Sequence, residues 1–403
     1  MKADSSSEFE STESLKSADF KLSDFSDSMT IGFDGKRAAQ NFTGLGNYSR
    51  YIIEIMARYF PRNEYKVYSP REPDQQRAGY LRNLPSVSFR HPQSSVFKSL
   101  WRSFGIVRDL KNDGIDIYHG LSNEIPFGIK KAGLSTVVTI HDLIFLRYPH
   151  YYPWLDRKMY EFKFRYACRN ADRIIAISEQ TKRDVVDFFK IPERRIEVIY
   201  QNCNEIFRRE VPMEVLKKIK QVYTLPDKYL LSVGTIEYRK NLMLIIKALK
   251  HVQSDVHLVI IGKETAYAKI VKRYIHENDL SHRVHFYKNV PMEDLPGIYR
   301  QAEIFVFPSE FEGFGIPIVE ALHSRIPVIA ASGSCLEEAG GPQSVYVNPA
   351  DELALSEAIK LILRDPIKKG KMVTAGTQYA KQFTDELIAA KLMGLYQKLK
   401  RNA

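Results

Sequence analysis

An apolar run over residues 304–308 leads into a loop rich in carboxylates and glycines. The loop carries Glu310, Glu312, Gly313 and Gly315. Pro317 then suits the first turn of a helix, where its missing N–H costs no hydrogen bond. Glycine lets a ligand approach the backbone, and the free N–H groups at a helix start favour negative charge. Glu312 before the helix and Glu320, about two turns further on, could each accept hydrogen bonds from a pair of sugar hydroxyls.

Two adjacent cations, Arg239 and Lys240, follow the predicted strand 229–233 and precede a predicted helix. Paired cations at the carboxyl end of a strand can neutralise a diphosphate. In the first half of the chain, His141 ends the predicted strand 136–140, so its side chain is expected to point into a cleft. Asp142 could orient that imidazole.

A second histidine and a short glycine motif complete the candidate residues. His119 ends the predicted strand 115–119 and could line the same cleft. Gly44 and Gly46 precede the predicted helix 48–59, where a tight turn also explains them. They do not form the dinucleotide-binding fingerprint, because no third glycine follows at the required spacing.

Strand and helix patterns alternate through both halves of the chain and position these residues at strand ends. In the first half, strands are predicted at 30–34, 65–69, 115–119, 136–140, 173–177 and 196–200, with helices at 48–59, 154–169 and 179–190. In the second half, strands are predicted at 229–233, 256–261, 284–286, 304–308 and 327–330, with helices at 241–251, 266–278, 292–300, 317–324, 353–364 and 385–399. Repeated strand–helix units predict parallel sheets covered on both faces.

The pattern restarts after 204–226, which predicts two α/β domains. We expect two doubly wound, Rossmann-like domains facing a cleft, the first over 29–207 and the second over 208–383. The C-terminal helix, 384–403, is expected to pack back on the first domain. Ligands of such sheets bind beyond the carboxyl ends of the strands.

Composition excludes several classes of protein. The 403 residues carry a net charge of +11, and the acidic, serine-rich segment 1–28 is predicted to be a disordered leader or tag. No apolar run is long enough to span a membrane, and no secretory signal is present. The three cysteines form no C-x-x-C motif, so neither a structural metal site nor a redox site is predicted. Their number and spacing fit a reducing, cytoplasmic location.

The spacing from Glu312 to Glu320, within E-G-F-G-x-P-x-x-E-A, resembles the E-x7-E signature of retaining glycosyltransferases of family 4, which have the GT-B fold. The resemblance implies that Glu312 faces the donor sugar and that Glu320 holds the nucleotide ribose. It implies catalytic roles for His141, Arg239 and Lys240, and acceptor-side positions for His119 and Asp142. The donor-binding positions that it implies are Gly44, Gly46, Gly234, Asn289, Val290, Phe314, Gly315, Ile316 and Glu320.

The same resemblance implies transfer of a sugar from a nucleotide diphosphate to an acceptor hydroxyl with retention of configuration. No D-x-D cluster follows a strand in the cleft, so we expect turnover without a metal or any other cofactor. The sequence His141-Asp142-Leu143-Ile-Phe-Leu is similar to the corresponding segment of bacterial mannosyltransferases of surface-polysaccharide assembly. This similarity favours GDP-mannose as the donor. The acceptor would be a saccharide or a lipid-linked saccharide.

A helix predicted over 154–169 mixes cations with aromatic residues. A packed helix with solvated cations explains this mixture, and so does contact with anionic lipid at the inner face of the cytoplasmic membrane. Three other functions stay open: transfer from a UDP-sugar, epimerisation of a nucleotide sugar at C2, and nucleic-acid binding without catalysis. The last rests on charge alone, since no RNA-binding motif is present and acids intersperse the basic residues. We therefore expect no nucleic-acid partner.

Overall fold

A computed structural model describes residues 28–41, 43–76, 78–92 and 100–401. The leader predicted over 1–28 lies outside these ranges except for Ser28. Within them, strands and helices alternate and form two separate parallel sheets.

The first sheet contains strands from the first half of the chain. They are β1 (Thr30–Asp34), β2 (Glu64–Tyr68), β3 (Val87–Arg90), β4 (Ile117–Gly120), β5 (Ser135–Ile140), β6 (Arg173–Ala176) and β7 (Ile196–Val198). Their order across the sheet is β3-β2-β1-β4-β5-β6-β7, and every pair is parallel. The chain therefore moves outward from β1 in one direction and then, from β4, in the other. The boundary between β1 and β4 is the topological switch point, where such sheets bind ligands.

The second sheet repeats this plan. Its strands are β8 (Tyr229–Val233), β9 (His257–Ile261), β10 (Val284–Tyr287), β11 (Ile304–Phe307), β12 (Val328–Ala331) and β13 (Val345–Val347). They lie parallel in the order β10-β9-β8-β11-β12-β13. Its switch point lies between β8 and β11, and both strands end in loops that carry candidate residues.

Helices cover both sheets. Those that start before residue 200 are α1 (Lys36–Gln40), α2 (Gly44–Tyr59), α3 (Ile106–Asn112), α4 (Ile144–Arg147), α5 (Trp154–Asn170) and α6 (Glu179–Phe189). The later ones are α7 (Met213–Val222), α8 (Leu242–Leu249), α9 (Tyr267–Glu277), α10 (Leu295–Gln301), α11 (Ile316–His323), α12 (Leu336–Gly340), α13 (Glu352–Arg364), α14 (Pro366–Ala380) and α15 (Asp385–Arg401). Strands β4, β11 and β12 are buried along their whole length, as expected of strands covered on both faces. The predicted fold class, two doubly wound α/β sheets, is confirmed.

The last helix, α15, returns to the first sheet and packs on α2. Its first residue, Asp385, accepts hydrogen bonds from Tyr51 Oη at 3.0 Å and Asn202 Nδ2 at 2.8 Å, and forms an ion pair with Arg208 at 2.8 Å. Further along, Tyr396 is fully buried and reaches β4. Helix α15 therefore packs on the first sheet, and the two sheets share one apolar cluster with this helix.

Several elements differ from the sequence-based prediction. Helix α2 starts at Gly44 rather than at 48, because Asn41 Oδ1 accepts the N–H groups of Thr43 and Gly46 and so closes the preceding loop. The strands β3 and β13 were not predicted; both are short and lie at sheet edges. Helix α14 was also not predicted, although Asp365 caps it and Pro366 occupies its first position.

No helix in the described part of the chain has the length and apolar content that crossing a bilayer requires.

Candidate active site

Two loops meet at the switch point of the second sheet. The loop after β8 carries Arg239 and Lys240, and the loop after β11 carries Glu310 and Glu312. The N–H of Glu310 donates to the carbonyl of Arg239 at 2.9 Å, and Arg239 Nη1 donates to the carbonyl of Phe311 at 2.9 Å. These bonds fix the two loops against each other, so the predicted cations and the predicted carboxylate lie in one place.

Glu312 is paired with both cations. Its Oε2 lies 2.7 Å from Arg239 Nη1, and its Oε1 lies 2.5 Å from Lys240 Nζ. Burial would raise the pKa of this carboxyl, but the two cations outweigh burial and lower the pKa to about 2. Glu312 is therefore ionised at neutral pH, so it can accept hydrogen bonds or stabilise positive charge, but it cannot act as an acid.

The loop after β5 in the first sheet contacts this site directly. A Cβ atom placed on Gly313 would lie 2.4 Å from the carbonyl oxygen of His141, so only glycine allows the two loops to come this close. Gly313, which follows Glu312, therefore contacts the backbone of His141, the predicted catalytic residue of the first sheet. The structure brings Glu312, Arg239 and Lys240 together and places the backbone of His141 beside Gly313.

The imidazole of His141 is held by the first sheet. Its Nε2–H donates to the carbonyl of Leu121 at 2.9 Å, and its ring lies edge-on to Tyr48 with centroids 4.6 Å apart. Burial lowers the pKa of His141 to about 4, so the ring is neutral at neutral pH. The prediction that Asp142 orients this ring is wrong: the Asp142 carboxylate instead accepts the N–H of Ile144 at the start of α4.

Glu320 lies in the second turn of α11 and faces α10. Its Oε2 accepts the hydroxyl of Tyr299 at 2.8 Å. Burial raises the pKa of Glu320 to about 7, because this carboxyl has a hydroxyl partner rather than a cation. The two glutamates of the E-x7-E motif therefore differ in charge near neutral pH.

Four predicted donor-binding positions lie in or beside the loops after β8 and β11. Gly234 and Gly315 have positive φ angles, of 149° and 131°, and Gly315 directly precedes α11. Gly234 and Lys240 line a small cavity at the end of β8. The side chains of Phe314 and Ile316 face the core rather than a ligand, and Phe314 stacks on Tyr200 at 5.4 Å. At those two positions only the backbone could meet a donor.

The remaining donor-binding predictions lie after β10 and at the start of α2. Asn289, exposed and with a φ of 53°, and Val290 follow β10 at the edge of the second sheet. Gly44 and Gly46 lie in the first turn of α2 rather than in a loop. A Cβ atom on Gly46 would lie 1.7 Å from the carbonyl of Asn41, whereas Gly44 has no atom within 4 Å of such a Cβ atom. The backbone requires glycine at Gly46, and Gly44 is the open position.

His119 does not line a cleft, so that prediction is wrong. Its side chain is fully buried, with Nδ1 2.6 Å from Tyr396 Oη and Nε2 2.8 Å from Thr139 Oγ1. The contact with Tyr396 ties α15 to β4. Burial lowers the pKa of His119 to about 3.

The buried neutral state of His119 predicts an acid-sensitive fold. In the unfolded chain His119 takes up a proton below about pH 6.5, whereas in the folded protein burial lowers its pKa to about 3. The free energy of unfolding therefore falls as the pH falls through this window. Each such group contributes at most about 1.4 kcal/mol per pH unit. Urea unfolding at pH 7, 6, 5 and 4 should show a shallower loss of unfolding free energy in His119→Gln than in the natural chain. Equal slopes would contradict the assignment.

Among the residues that the structure describes, no three histidine, cysteine, aspartate or glutamate side chains group in a way that could hold a metal ion.

Comparisons with known proteins agree with this geometry. Residues 216–380 match the family model described as glycosyl transferases group 1, and residues 44–201 match the model for glycosyltransferase family 4. The chain is a family 4 glycosyltransferase. The first match contains Arg239, Lys240, Glu312 and Glu320, and the second contains His141.

Two relatives of this glycosyltransferase carry names from polysaccharide assembly. The O-antigen chain mannosyltransferase B of Escherichia coli is 26% identical over 92% of this chain and 100% of its own length. The O-antigen chain mannosyltransferase RfbU of Salmonella typhimurium is 28% identical over 60% of this chain and 67% of its own length.

Solved structures share the GT-B fold of this glycosyltransferase. HepE of Anabaena, in complex with UDP and glucose, has a TM-score of 0.72 at 18% identity and covers 92% of this chain and 100% of its own. WaaG, a glycosyltransferase involved in lipopolysaccharide biosynthesis, has a TM-score of 0.67 at 16% identity and covers 91% of this chain and 99% of its own.

Sequence reasoning missed two residues that hold the loops around the glycosyltransferase's candidate site. The thiol of Cys335 lies 3.0 Å from the carbonyl of Glu312 and 3.1 Å from that of Phe314, so it restrains the loop between the two glutamates. Glu338 accepts the N–H groups of Glu179, at 2.6 Å, and Gln180, at 2.9 Å, and so caps α6 from the other sheet. No local pattern marks either residue, because each acts through contacts more than 20 residues away in sequence.

Proposed function

We propose that this glycosyltransferase moves mannose from GDP-mannose to a hydroxyl group of a saccharide acceptor in polysaccharide or glycolipid synthesis, with retention of configuration. The observation that carries the proposal is the Glu312 carboxylate held between Arg239 and Lys240 at the switch point of the second sheet. The names of the two O-antigen relatives support mannose as the sugar.

The three side chains suit the departure of a nucleoside diphosphate. The bond from the anomeric carbon to the phosphate oxygen breaks, and the diphosphate leaves with both electrons. Arg239 and Lys240 would stabilise this developing negative charge. The ionised Glu312 would face the sugar, where positive charge develops on the ring. The acceptor oxygen then bonds to the anomeric carbon from the same face and passes its proton to the leaving phosphate.

Because two fixed cations supply positive charge at the diphosphate, we propose that turnover needs no metal. Activity should survive EDTA at concentrations that strip divalent ions from the buffer. Abolition by EDTA and recovery with Mg²⁺ or Mn²⁺ would contradict this part of the proposal.

A UDP-sugar is the second candidate donor, because the structural relative HepE is described in complex with UDP and glucose. A thermal-shift panel of GDP, UDP, ADP and their sugars separates the candidates. We expect GDP and GDP-mannose to raise the melting temperature most, and product analysis with donor alone to show no epimer. A larger shift with UDP compounds would overturn the choice of base, and no shift with any nucleotide would overturn the function.

The raised pKa of Glu320 predicts that donor binding depends on pH. If this carboxyl holds the ribose hydroxyls, its ionised form should bind more strongly because a carboxylate accepts both hydrogen bonds. Since its pKa is about 7, nucleotide affinity should rise from pH 6 to pH 8, by up to about tenfold if only the ionised form binds. Calorimetry with GDP on the natural protein and on Glu320→Gln measures this. The variant also corrects for titration of the nucleotide, and an equal pH dependence in both proteins would contradict the prediction.

We propose further that α5 rests on an anionic bilayer that carries the acceptor. Leu155, Met159 and Phe162 follow one stripe of this helix and are exposed, as is Trp154 at its start. Exposed cations flank the stripe, among them Lys158. The other aromatic residues of this helix, Tyr160, Phe164 and Tyr166, pack inward. An apolar stripe beside cations suits an anionic lipid surface.

Vesicle binding tests the bilayer contact. At low salt, the natural protein should sediment with phosphatidylglycerol-containing vesicles, whereas the Leu155→Glu variant should stay in the supernatant. Leu353→Glu provides a matched control, because Leu353 has 58% exposure on α13, on the other sheet. Equal binding of all three proteins, or no binding at all, would overturn the contact.

A further inference from the structure

A second cavity opens at the switch point of the first sheet. It lies between the turn Trp101–Gly105, the loop after β4 and helix α5. The side chains that matter are Arg102, Glu124, Phe127, Lys163 and Tyr166.

Charges at this cavity are paired. Arg102 donates to Asp34 from Nε at 3.1 Å and from Nη2 at 2.7 Å, and Asp34 is almost fully buried at the end of β1. Nη1 of the same Arg102 donates to Glu124 Oε2 at 2.7 Å. The second oxygen of Glu124 lies 3.5 Å from Lys163 Nζ. Both cations that line the cavity therefore face a carboxylate.

This pairing argues against an anionic ligand. Phosphate or sulfate would have to displace Glu124 from a bond that is already made, and would lie beside two carboxylates. Lys36 lies near the same cluster, and burial together with Arg102 lowers the pKa of its ammonium. A neutral ligand with hydroxyl donors fits better, because Glu124 can accept from hydroxyls while it keeps its bond to Arg102.

Aromatic rings form the other side of the cavity. Phe127 lies 4.5 Å from Tyr166, 5.1 Å from Phe104 and 6.0 Å from Phe162, measured between ring centroids. Flat apolar faces opposite a carboxylate match a pyranose, which has one face of C–H groups and an edge of hydroxyls. The exposed stripe of α5 reaches this rim at Phe162.

The cavity is joined to the candidate active site by one short loop. Leu121 accepts the His141 imidazole N–H at 2.9 Å, and Asn123 Oδ1 accepts the His141 backbone N–H at 2.7 Å. Glu124 is the next residue. A ligand seated on Glu124 is thus held by the loop that also fixes His141.

We propose that this cavity binds the terminal sugar of a neutral glycan acceptor, with Glu124 accepting its hydroxyls, Phe127 packing on its C–H face and Arg102 acting as a positioning residue for Glu124. The proposal rests on the proposed function only in calling this sugar the acceptor; that the cavity binds a sugar stands on its own residues.

Saturation-transfer NMR with methyl α-mannoside, methyl α-glucoside and methyl α-galactoside tests the cavity, with inorganic phosphate in a separate titration. We expect at least one hexoside to show saturable transfer and phosphate not to compete. Glu124→Gln keeps the shape but weakens the hydroxyl acceptor, so affinity for the hexoside should fall about tenfold or more. Affinity for GDP or UDP should not change.

Glu161→Gln is the matched control. Glu161 lies on α5 outside the cavity and pairs with Arg165 at 2.8 Å, and its side-chain exposure, 26%, is close to the 21% of Glu124. The Glu161→Gln variant should bind the hexoside with the same affinity as the natural protein. Melting temperatures of both variants verify folding, and Phe127→Leu provides a second route if Glu124→Gln melts early. Equal hexoside binding by Glu124→Gln and Glu161→Gln, absence of hexoside binding, or competition by phosphate would overturn the proposal. Absence of nucleotide binding by the natural protein would instead overturn the proposed function.

Discussion

Replacing Glu312 by Gln is expected to lower turnover by about 10²- to 10³-fold and at the same time to tighten the binding of nucleoside diphosphate. The turnover loss follows from the geometry: the carboxylate lies against Arg239 and Lys240 and is ionised at neutral pH. Removing its charge removes the only group in the proposed mechanism that can stabilise positive charge on the sugar ring.

The gain in affinity has a separate cause. A diphosphate must share the two cations with Glu312, and like charges at about 4 Å repel by about 1 kcal/mol or more. Gln has no charge, so GDP or UDP should bind about fivefold or more tightly to the variant. Initial rates and calorimetry measure the two effects. Glu303→Gln, a glutamate paired with Lys369 outside the site, should leave both quantities unchanged. A variant that loses turnover and affinity together would contradict this account.

The sequence was sufficient to predict which residues meet at the ends of β8 and β11. Hydrophobic runs of β-propensity residues before Gly234 and Pro308 located β8 and β11, and parallel order then required their carboxyl ends to meet at one edge. Glu312, Arg239 and Lys240 are brought together for that reason. The Gly313 contact with His141 could not be predicted, because it depends on how the loops of the two sheets approach.

The errors share a physical cause. His119 and His141 both lie at the carboxyl ends of apolar strands, so residue type and position do not distinguish them. The burial of His119 depends on Tyr396, which lies 277 residues away. The sequence likewise could not show that Asp142 does not orient the imidazole of His141. Its carboxylate accepts a local hydrogen bond from the N–H of Ile144, which competes with any bond to the imidazole. Helix α14, in contrast, was predictable from Asp365 and Pro366, which form a standard helix start.

Replacing Lys240 by Met is expected to lower kcat by about 10²- to 10³-fold and also to weaken nucleotide binding. Lys240 Nζ lies 2.5 Å from Glu312 and 4.9 Å from the ring centroid of Phe307, and the side chain borders the cavity at the end of β8. Met fills a similar volume without the charge. Lys228→Met provides the control, because Lys228 forms an exposed pair with Asp255. Unchanged nucleotide affinity in Lys240→Met would contradict a role at the diphosphate.

A double variant that combines Glu312→Gln with Lys240→Met separates two explanations for a defect in Lys240→Met. If Lys240 served only to neutralise Glu312, its removal would have no further effect once Glu312 is Gln, and the double variant would bind nucleotide as Glu312→Gln does. If Lys240 contacts the diphosphate, the double variant should bind nucleotide more weakly than Glu312→Gln, by about tenfold for the loss of one charge-assisted contact. We expect the second result, because Arg239 also contacts Glu312, at 2.7 Å, and can hold that carboxylate without Lys240.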